Sequence, residues 1–440
     1  MKSEQTNSTS WGQQNKLYLK IAFMLLLIAL LLIPKVMITD LIYERKSYQQ
    51  EVDREISQTW GGSQILAPPI LSIPYTKYSI YEKDGKEEKS FFEKSIYITP
   101  ETAKIDADAT TEKRSLGIYS SIIYTATNQI NSSFNITIDS TFESNIDKIH
   151  FSKAILHLPI SDPTRVASIT YLNFNGKKYK MEVYNNDLGS GLMAEIDIND
   201  IPSPKFDIEL VLKGSQNLHF LPVASFQEVE LNSNWNSPGF TGSALPVSRD
   251  ITNDGFTSLW NSTEYASSLP RTWISSSPQT VFNSGSKYGV DFIQTVDHYQ
   301  KNMRAVKYAI LIIVLSFLVF FFFELKRNKS IHIIQYVLVG LAILLFYLLL
   351  LSLSEHLGFN VAYLISTLMS VSLISWYAKT ILNYNKAALM LFGILIALFS
   401  YIYILLQLED YALLAGSIGL FIILFIVMKV SSKIRALSEK

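Results

Sequence analysis

The sequence predicts a membrane protein with six transmembrane α-helices, one N-terminal and five C-terminal, and a large β-rich extracytoplasmic domain between the first two spans. Three observations predict it. Hydrophobic residues make up 48% of the 440 and charged residues only 17%, and the apolar ones gather in runs long enough to cross a hydrocarbon core of about 30 Å. Between the first and second runs the pattern changes to period-two alternation, which marks strands half-buried in a sheet. The basic residues of the short loops then all fall on one side. Composition also excludes several classes. Lys+Arg and Asp+Glu are equal at 38 each, without the basic excess of a nucleic-acid binder. With no Cys there is no disulfide framework, thiolate metal site, Cys nucleophile or lipidated Cys anchor.

Residues 1–18 read as a cytoplasmic tail and 19–38 as the first span, interrupted only by Lys20, Pro34 and Lys35. Lys16 and Lys20 ahead of the apolar run are compatible with a signal peptide. However, Lys35-Val36-Met37 follows with no small-x-small cleavage site, so the run reads as an uncleaved signal anchor. The later spans are 305–323, 333–352, 361–377, 387–407 and 411–430, with a cytoplasmic tail at 431–440. The span 361–377 is the most polar, holding Ser366, Thr367, Ser370, Ser372 and Ser375. Hydroxyls are tolerated in lipid because they bond to their own helix or to a neighbour. Lys2 and Lys16, then Lys326, Arg327 and Lys329, then Lys379 and Lys386, then Lys433, Arg435 and Lys440 fall on the cytoplasmic side. The opposite loops, 354–360 and 408–410, carry Glu355, Glu409 and Asp410 and no Lys or Arg. Trp376 and Tyr377 fit an aromatic belt at the inner boundary.

Residues 39–304 then lie outside the cytoplasm. The stretch 40–301 holds 23 basic and 32 acidic residues, net −9, against +9 for the rest of the chain. It opens on an amphipathic helix, LIYERKSYQQEVDREISQTWGG, in which Tyr48, Val52, Ile56 and Trp60 recur every four residues and Gly61-Gly62 is the stop. Its counterpart before the second span, TVDHYQKNMRAVKYA, puts Val296, Tyr299 and Met303 on one face, so the two helices are expected to pair as a stalk. SIPYTKYSIY and SFFEKSIYIT flank a Lys83-Asp84-Gly85-Lys86 turn, and ITYLNFNGKKYKMEVY repeats the device around Asn175-Gly176. INSSFNITIDS, FDIELVLKGS and FQEVELNSNW add strands, with Pro68-Pro69, Pro202 and Pro204 at edges or turns. Helix is expected here only near 255–268.

Chemistry-bearing motifs are few. No G-x-S-x-G, P-loop, G-x-G-x-x-G or H-E-x-x-H occurs. Gly189-Ser190-Gly191 and Gly285-Ser286 read as turns. His150 and His157, if they share a strand, are an odd seven apart and would face opposite ways, which disfavours joint metal ligation. Glu355-His356 at the outer boundary, and Glu324 with Lys326 at the inner end of the second span, read as interfacial charges, with a proton or ion relay as the functional alternative. Small-x-x-x-small spacing at Ala412…Gly416, Ala415…Gly419 and Gly393…Ala397 points to helix packing. Trp235, Trp260 and Trp273, with Arg249 and Arg271, are either core residues or a surface for a glycan or protein; the core reading is preferred. No catalytic, cofactor or metal site is expected.

The stretches LLIPKVMITDLIYERKSYQQEV, ELNSNWNSPGFTGSALPVSRDITNDGFTSLW, RAVKYAILIIVLSFLVFFFFE and QYVLVGLAILLFYLLLLSLSEHLGFNVAY, in this order and spacing, resemble the CreD family of bacterial inner-membrane proteins. The punctuation S-E-H-x-G-F in the last is the most specific. The resemblance implies the inner membrane with a periplasmic loop, production under a carbon-source-responsive two-component system, and envelope integrity and colicin tolerance as associated phenotypes. It implies no catalytic residue; Trp235, Trp260, Glu355 and His356 are family-motif residues without roles. The expected function is support of envelope integrity or stress response through interactions with the lipid bilayer and a periplasmic protein or cell-wall component, without a cofactor or nucleic acid. The alternative is a transporter or lipid-handling protein built on the five C-terminal helices. A wall or glycan hydrolase would rest on the acids of the extracytoplasmic domain alone.

Overall fold

The computed structural model divides the chain into two compact units, Met1–Tyr48 with Val296–Lys440, and Gln49–Thr295. It describes residues 10–83, 86–138, 144–168, 170–267, 269–274, 281–283, 286–292, 298–327, 331–382, 384–408 and 411–438. Expectations placed on Lys2, Asp84, Gly85, Ser268, Gly285, Val296, Lys329, Glu409, Asp410 and Lys440 lie outside these residues.

The first unit is helical. Its elements are α1 (Ser10–Trp60), α2 (His298–Lys307), α3 (Ala309–Arg327), α4 (Ile333–Leu357), α5 (Phe359–Leu382), α6 (Asn385–Gln407) and α7 (Ala412–Ser438). The last part of α1 belongs to the second unit. Among the described residues, α1, α4, α5 and α6 are long and apolar enough to cross a membrane, and a fifth crossing results if α2 and α3, bent by 42°, count as one span. The apolar part of α7, Leu413–Lys429, is shorter. The inward side is a close-packed aromatic and aliphatic seam. Phe346 of α4 meets Tyr363 of α5 at 5.4 Å and Phe399 of α6 at 4.7 Å between ring centroids, within the range of favourable edge-on pairs. The outward side exposes Leu341, Leu345, Leu364, Leu368, Leu373 and Leu389. So much exposed apolar surface on a folded unit is what lipid tails cover.

The second unit is built on three sheets. The largest runs Ser248–Thr252, Gly255–Thr263, Phe226–Ser233, Thr102–Leu116, Tyr119–Ser133, Lys205–Ser215, Tyr171–Phe174, Lys177–Lys180. The second runs Glu182–Asn186, Gly189–Ile196, Ala154–Pro159, Ile70–Lys83, Lys86–Ile98, Thr272–Ile274, with Ile146–Ile149 beside Ile70–Lys83. The third is Gln64–Leu66, Asn217–Phe220, Tyr288–Phe292, Pro238–Gly242. Inward residues of all three share one apolar core that includes Ile73, Ile105, Ile130, Leu210, Leu231 and Trp260. Alternation in the sequence thus reports a real two-faced sheet.

Both expected hairpins form. Lys83 pairs with Lys86, and Phe174 with Lys177. At Asn175-Gly176 both φ values are positive, 50° and 74°, the backbone of a type I′ turn. The helix expected near 255–268 is instead the strand Gly255–Thr263 followed by a single 3-10 turn at Glu264–Ala266. Phe256, Ser258, Trp260 and Ser262 all point inward, so period two governs there. INSSFNITIDS is strand only to Ser133; beyond it Phe134 and Ile136 donate to the carbonyls of Pro204 and Pro202. The face of α2 also differs from expectation: Tyr299, Asn302, Ala305 and Val306 are buried, and Met303 is not among them.

Candidate functional site

The punctuation S-E-H-x-G-F becomes the end of α4 and the turn into α5. Gly358 takes φ +75°, a stop that a side chain resists, and Phe359 opens α5 buried. Just before the stop, Glu355 has a side chain 9% exposed. Its Oε1 accepts a hydrogen bond from Tyr299 Oη at 3.0 Å and lies 4.0 Å from Arg45 Nε on α1. Asn302 Nδ2 donates to Ser354 Oγ at 2.8 Å and to the His298 carbonyl at 2.8 Å. Glu355 and Ser354 therefore fasten α2 to α4, and the Tyr299 hydrogen bond with the Arg45 charge nearby offsets the cost of burying the Glu355 carboxylate. His356, the next residue of α4, is exposed.

A second cluster sits at the opposite end of α4. Lys20 of α1 pairs with Glu324 of α3, and Lys20 Nζ also donates to the Ile331 carbonyl at 3.0 Å. Tyr336 Oη donates to Glu324 Oε2 at 3.0 Å, and its ring lies 5.8 Å from the Lys20 ammonium. Tyr336 and Glu355 are separated along α4 by roughly 28 Å at 1.5 Å per residue, close to a hydrocarbon thickness. Each cluster joins a base from α1, a carboxylate and a tyrosine hydroxyl, the pairing that lets charge persist at a membrane boundary. Between them Gly340 of α4 lies against Leu31 of α1, where a Cβ would collide. Sequence reasoning named Glu355 and Glu324 and put Tyr299 on a packing face, but missed Arg45, Asn302 and Tyr336. The available signal was the polar residue Asn302 sharing a helical face with Tyr299.

The hydroxyls of α5 divide. Ser366, Thr367, Ser370 and Ser375 are buried and Ser372 is exposed. The oxygens of Ser366, Thr367 and Ser375 have no hydrogen-bond partner among the described residues. Of the small-residue pairs, Gly419 is packed under the Tyr401 ring of α6, whose hydroxyl donates to the Ala415 carbonyl at 3.1 Å. Gly393 and Gly416 have open space where a Cβ would be.

In the β unit the tryptophans separate. Trp260 and Trp273 are 1% and 5% exposed, and Trp235 is half-buried with its Nε1 donating to the Ser237 carbonyl. The block ELNSNW forms a corner of the large sheet. Asn234 Oδ1 accepts from the Thr111 N–H at 2.7 Å while its Nδ2 donates to the Thr111 carbonyl at 3.2 Å. His150 and His157 lie outside any common strand, and both reach Ile70–Lys83: His150 Nε2 is 2.8 Å from Thr76 Oγ1 and His157 Nε2 is 2.9 Å from Ser72 Oγ. Among the described residues no three His, Asp or Glu gather to hold a metal ion.

The open face of the large sheet offers a polar surface. In one cross-strand row, Asn261, Glu228, Lys104, Asn131, Asp207 and Asn173 stand opposite one another. Lys104 Nζ is 3.2 Å from Glu228 and 3.4 Å from Asp106, and those carboxylates raise its pKa. Asn173 donates to Asp207 at 3.1 Å. Around this row lies a shallow depression of about 470 Å³, with Phe206 and Phe226 at its margin. Amides, hydroxyls and paired charges in a shallow trough can hydrogen-bond an extended polar ligand; no nucleophile–base pair is among them.

Known proteins include a family and a relative that this chain resembles along most of its length. A family model described as "Inner membrane protein CreD" matches residues 16–436. The inner membrane protein CreD of Escherichia coli (strain K12) is 32% identical over 419 residues, which cover 92% of this chain and 91% of that one.

Proposed function

The chain belongs to the CreD family of inner membrane proteins, and from that premise we propose that it supports envelope integrity or the envelope stress response by interaction rather than catalysis. On this reading six spans bring both termini to one side, the basic short loops make that side the cytoplasm, and the β unit lies in the periplasm. There the open face of the large sheet meets a periplasmic protein or cell-wall component, and tolerance to colicins is a consequence for the envelope. The observation that carries this reading is the polar row through Glu228, Lys104, Asn131 and Asp207, in which Lys104 and Asn131 are exposed and the two carboxylates half-buried beside them. A photo-crosslinking residue at Asn131 in the full chain, in growing cells, is expected to capture an envelope component, and one at Glu182 in the second sheet is not. Equal capture at both positions, or none at Asn131, sinks the reading.

A transporter or lipid-handling role is the second reading, supported by the buried hydroxyls of Ser366, Thr367 and Ser375 within α5. Glu355→Gln separates the two. It removes the charge facing Arg45 but leaves an acceptor for Tyr299. Retained envelope phenotype at normal membrane abundance supports interaction; a lost phenotype at that abundance supports transport.

A further inference from the structure

The helix α2, HYQKNMRAVK, carries His298, Lys301, Arg304 and Lys307 and no acid. Its buried residues, Tyr299, Asn302, Ala305 and Val306, define one face. At about 100° per residue, Lys301, Arg304 and Lys307 fall on the opposite face. Lys307 is exposed and the other two are half-buried. The orientation is fixed by hydrogen bonds to the end of α4, from Asn302 to Ser354 and from Tyr299 to Glu355. At Tyr308 the axis turns by 42°. There the Tyr308 N–H takes the Ala305 carbonyl, a tightened i→i+3 step, and the apolar α3 begins. The basic helix is thus angled away from the spanning direction at the point where the lipid-facing run starts. Lys301 Nζ lies 5.7 Å from the ring of Phe359, the first residue of α5, so its ammonium stands by an aromatic ring where that helix begins.

We propose that the face of α2 formed by Lys301, Arg304 and Lys307 binds the phosphate headgroups of anionic phospholipids in the adjoining leaflet. The occupant follows from the chemistry. A short amphipathic helix whose outer face carries three bases beside Gln300 and no acid of its own, continuous with a membrane-length apolar helix, is complementary to a surface of net negative charge at headgroup depth. Zwitterionic lipids carry the same phosphate beside a compensating cation, so the face discriminates by net charge. The inference rests on the helical unit being embedded in the membrane.

The test is native mass spectrometry of the full chain in detergent, titrated with phosphatidylglycerol or phosphatidylcholine. Phosphatidylglycerol is expected to bind about tenfold more tightly, and K301Q/R304Q/K307Q to lose that advantage while phosphatidylcholine retention stays unchanged. K301R/R304K/K307R keeps the charge and is expected to keep the preference, which separates charge from any loss of folding. K177Q/K178Q/K180Q, on the exposed strand Lys177–Lys180, is expected to change nothing. Equal affinity for the two lipids in the native chain, or an unaffected preference in the triple glutamine variant, overturns the proposal. Retention of neither lipid overturns the embedding itself, a result that the phosphatidylcholine arm tells apart.

Discussion

His157 shows how a single side chain sets a condition on the β unit. It is 3% exposed, its Nε2 lies 2.9 Å from Ser72 Oγ, and the rings of Tyr97 and Tyr184 flank it at 6.3 and 5.0 Å. No carboxylate is in that contact set, so burial alone pushes its pKa down from 6.5 to about 4. The unfolded chain therefore binds the proton first as pH falls. The stabilisation is complete above pH 6.5 and is lost progressively as pH falls toward 4, by about 3 kcal/mol in order of magnitude. His219, whose pKa burial also lowers against the opposing pull of Asp291, adds a change of the same sign. Urea unfolding followed by tryptophan fluorescence at pH 7 and pH 4.5 is expected to show this loss, reduced but not abolished in His157→Gln. An unchanged pH dependence in that variant rejects the assignment. The sequence spoke only against His157 sharing a metal with His150. The burial of His157 beside Ser72 depends on pairing between strands more than eighty residues apart, which local pattern does not encode.

At the scale of elements, the C-terminus of α1 is anchored by side chains of the β unit. Helix ends leave carbonyls unpaired. Here Arg165 Nη2 donates to the Gln58 carbonyl at 2.7 Å and Nη1 to the Thr59 carbonyl at 3.1 Å, favourable also for the helix dipole. Trp60 Nε1 donates to the Tyr124 carbonyl, with Lys213 Nζ 4.6 Å from its ring, and Gly61 at φ +142° turns the chain where a Cβ would press on the Lys213 carbonyl. Arg165→Lys keeps the charge but cannot form the two-carbonyl fork. We expect it to cost about 1 kcal/mol locally, read as faster amide hydrogen exchange over residues 55–60 with the sheet cores unchanged. Unaltered exchange there removes the capping role. The end of α1 was legible because Val52, Ile56 and Trp60 keep helical spacing and Gly61-Gly62 breaks it. The face of α2 was not, because a search for apolar period overlooks Asn302, a polar residue buried by hydrogen bonds. The strand Gly255–Thr263 was missed for a related reason: Ser258 and Ser262 are inward-facing hydroxyls in an otherwise apolar row.

For the whole molecule, the neutral total charge conceals a division, net −9 in 40–301 and +9 elsewhere. Charge in short loops decides which side of a membrane each loop occupies, and long segments follow the helices that flank them. The structure supplies sites at which this can be tested. Asn360 stands at the turn between α4 and α5, Asn385 begins α6, and Ser248 lies in an edge strand of the large sheet; all three are exposed. The protein has no cysteine, so each can carry the only thiol in the chain. With a membrane-impermeant maleimide on spheroplasts, N360C and S248C are expected to label directly, and N385C only after the membrane is opened. The three results are linked. A crossing formed by α5 forces Asn360 and Asn385 to opposite sides, whereas the basic residues Lys379 and Lys386 decide which of the two is inside. Labelling of Asn360 and Asn385 from the same side eliminates α5 as a span, and its buried hydroxyls would then belong to a helix that does not cross the membrane. Reversed labelling of all three keeps the spans but inverts the orientation, and places the β unit in the cytoplasm, where no envelope role is open to it.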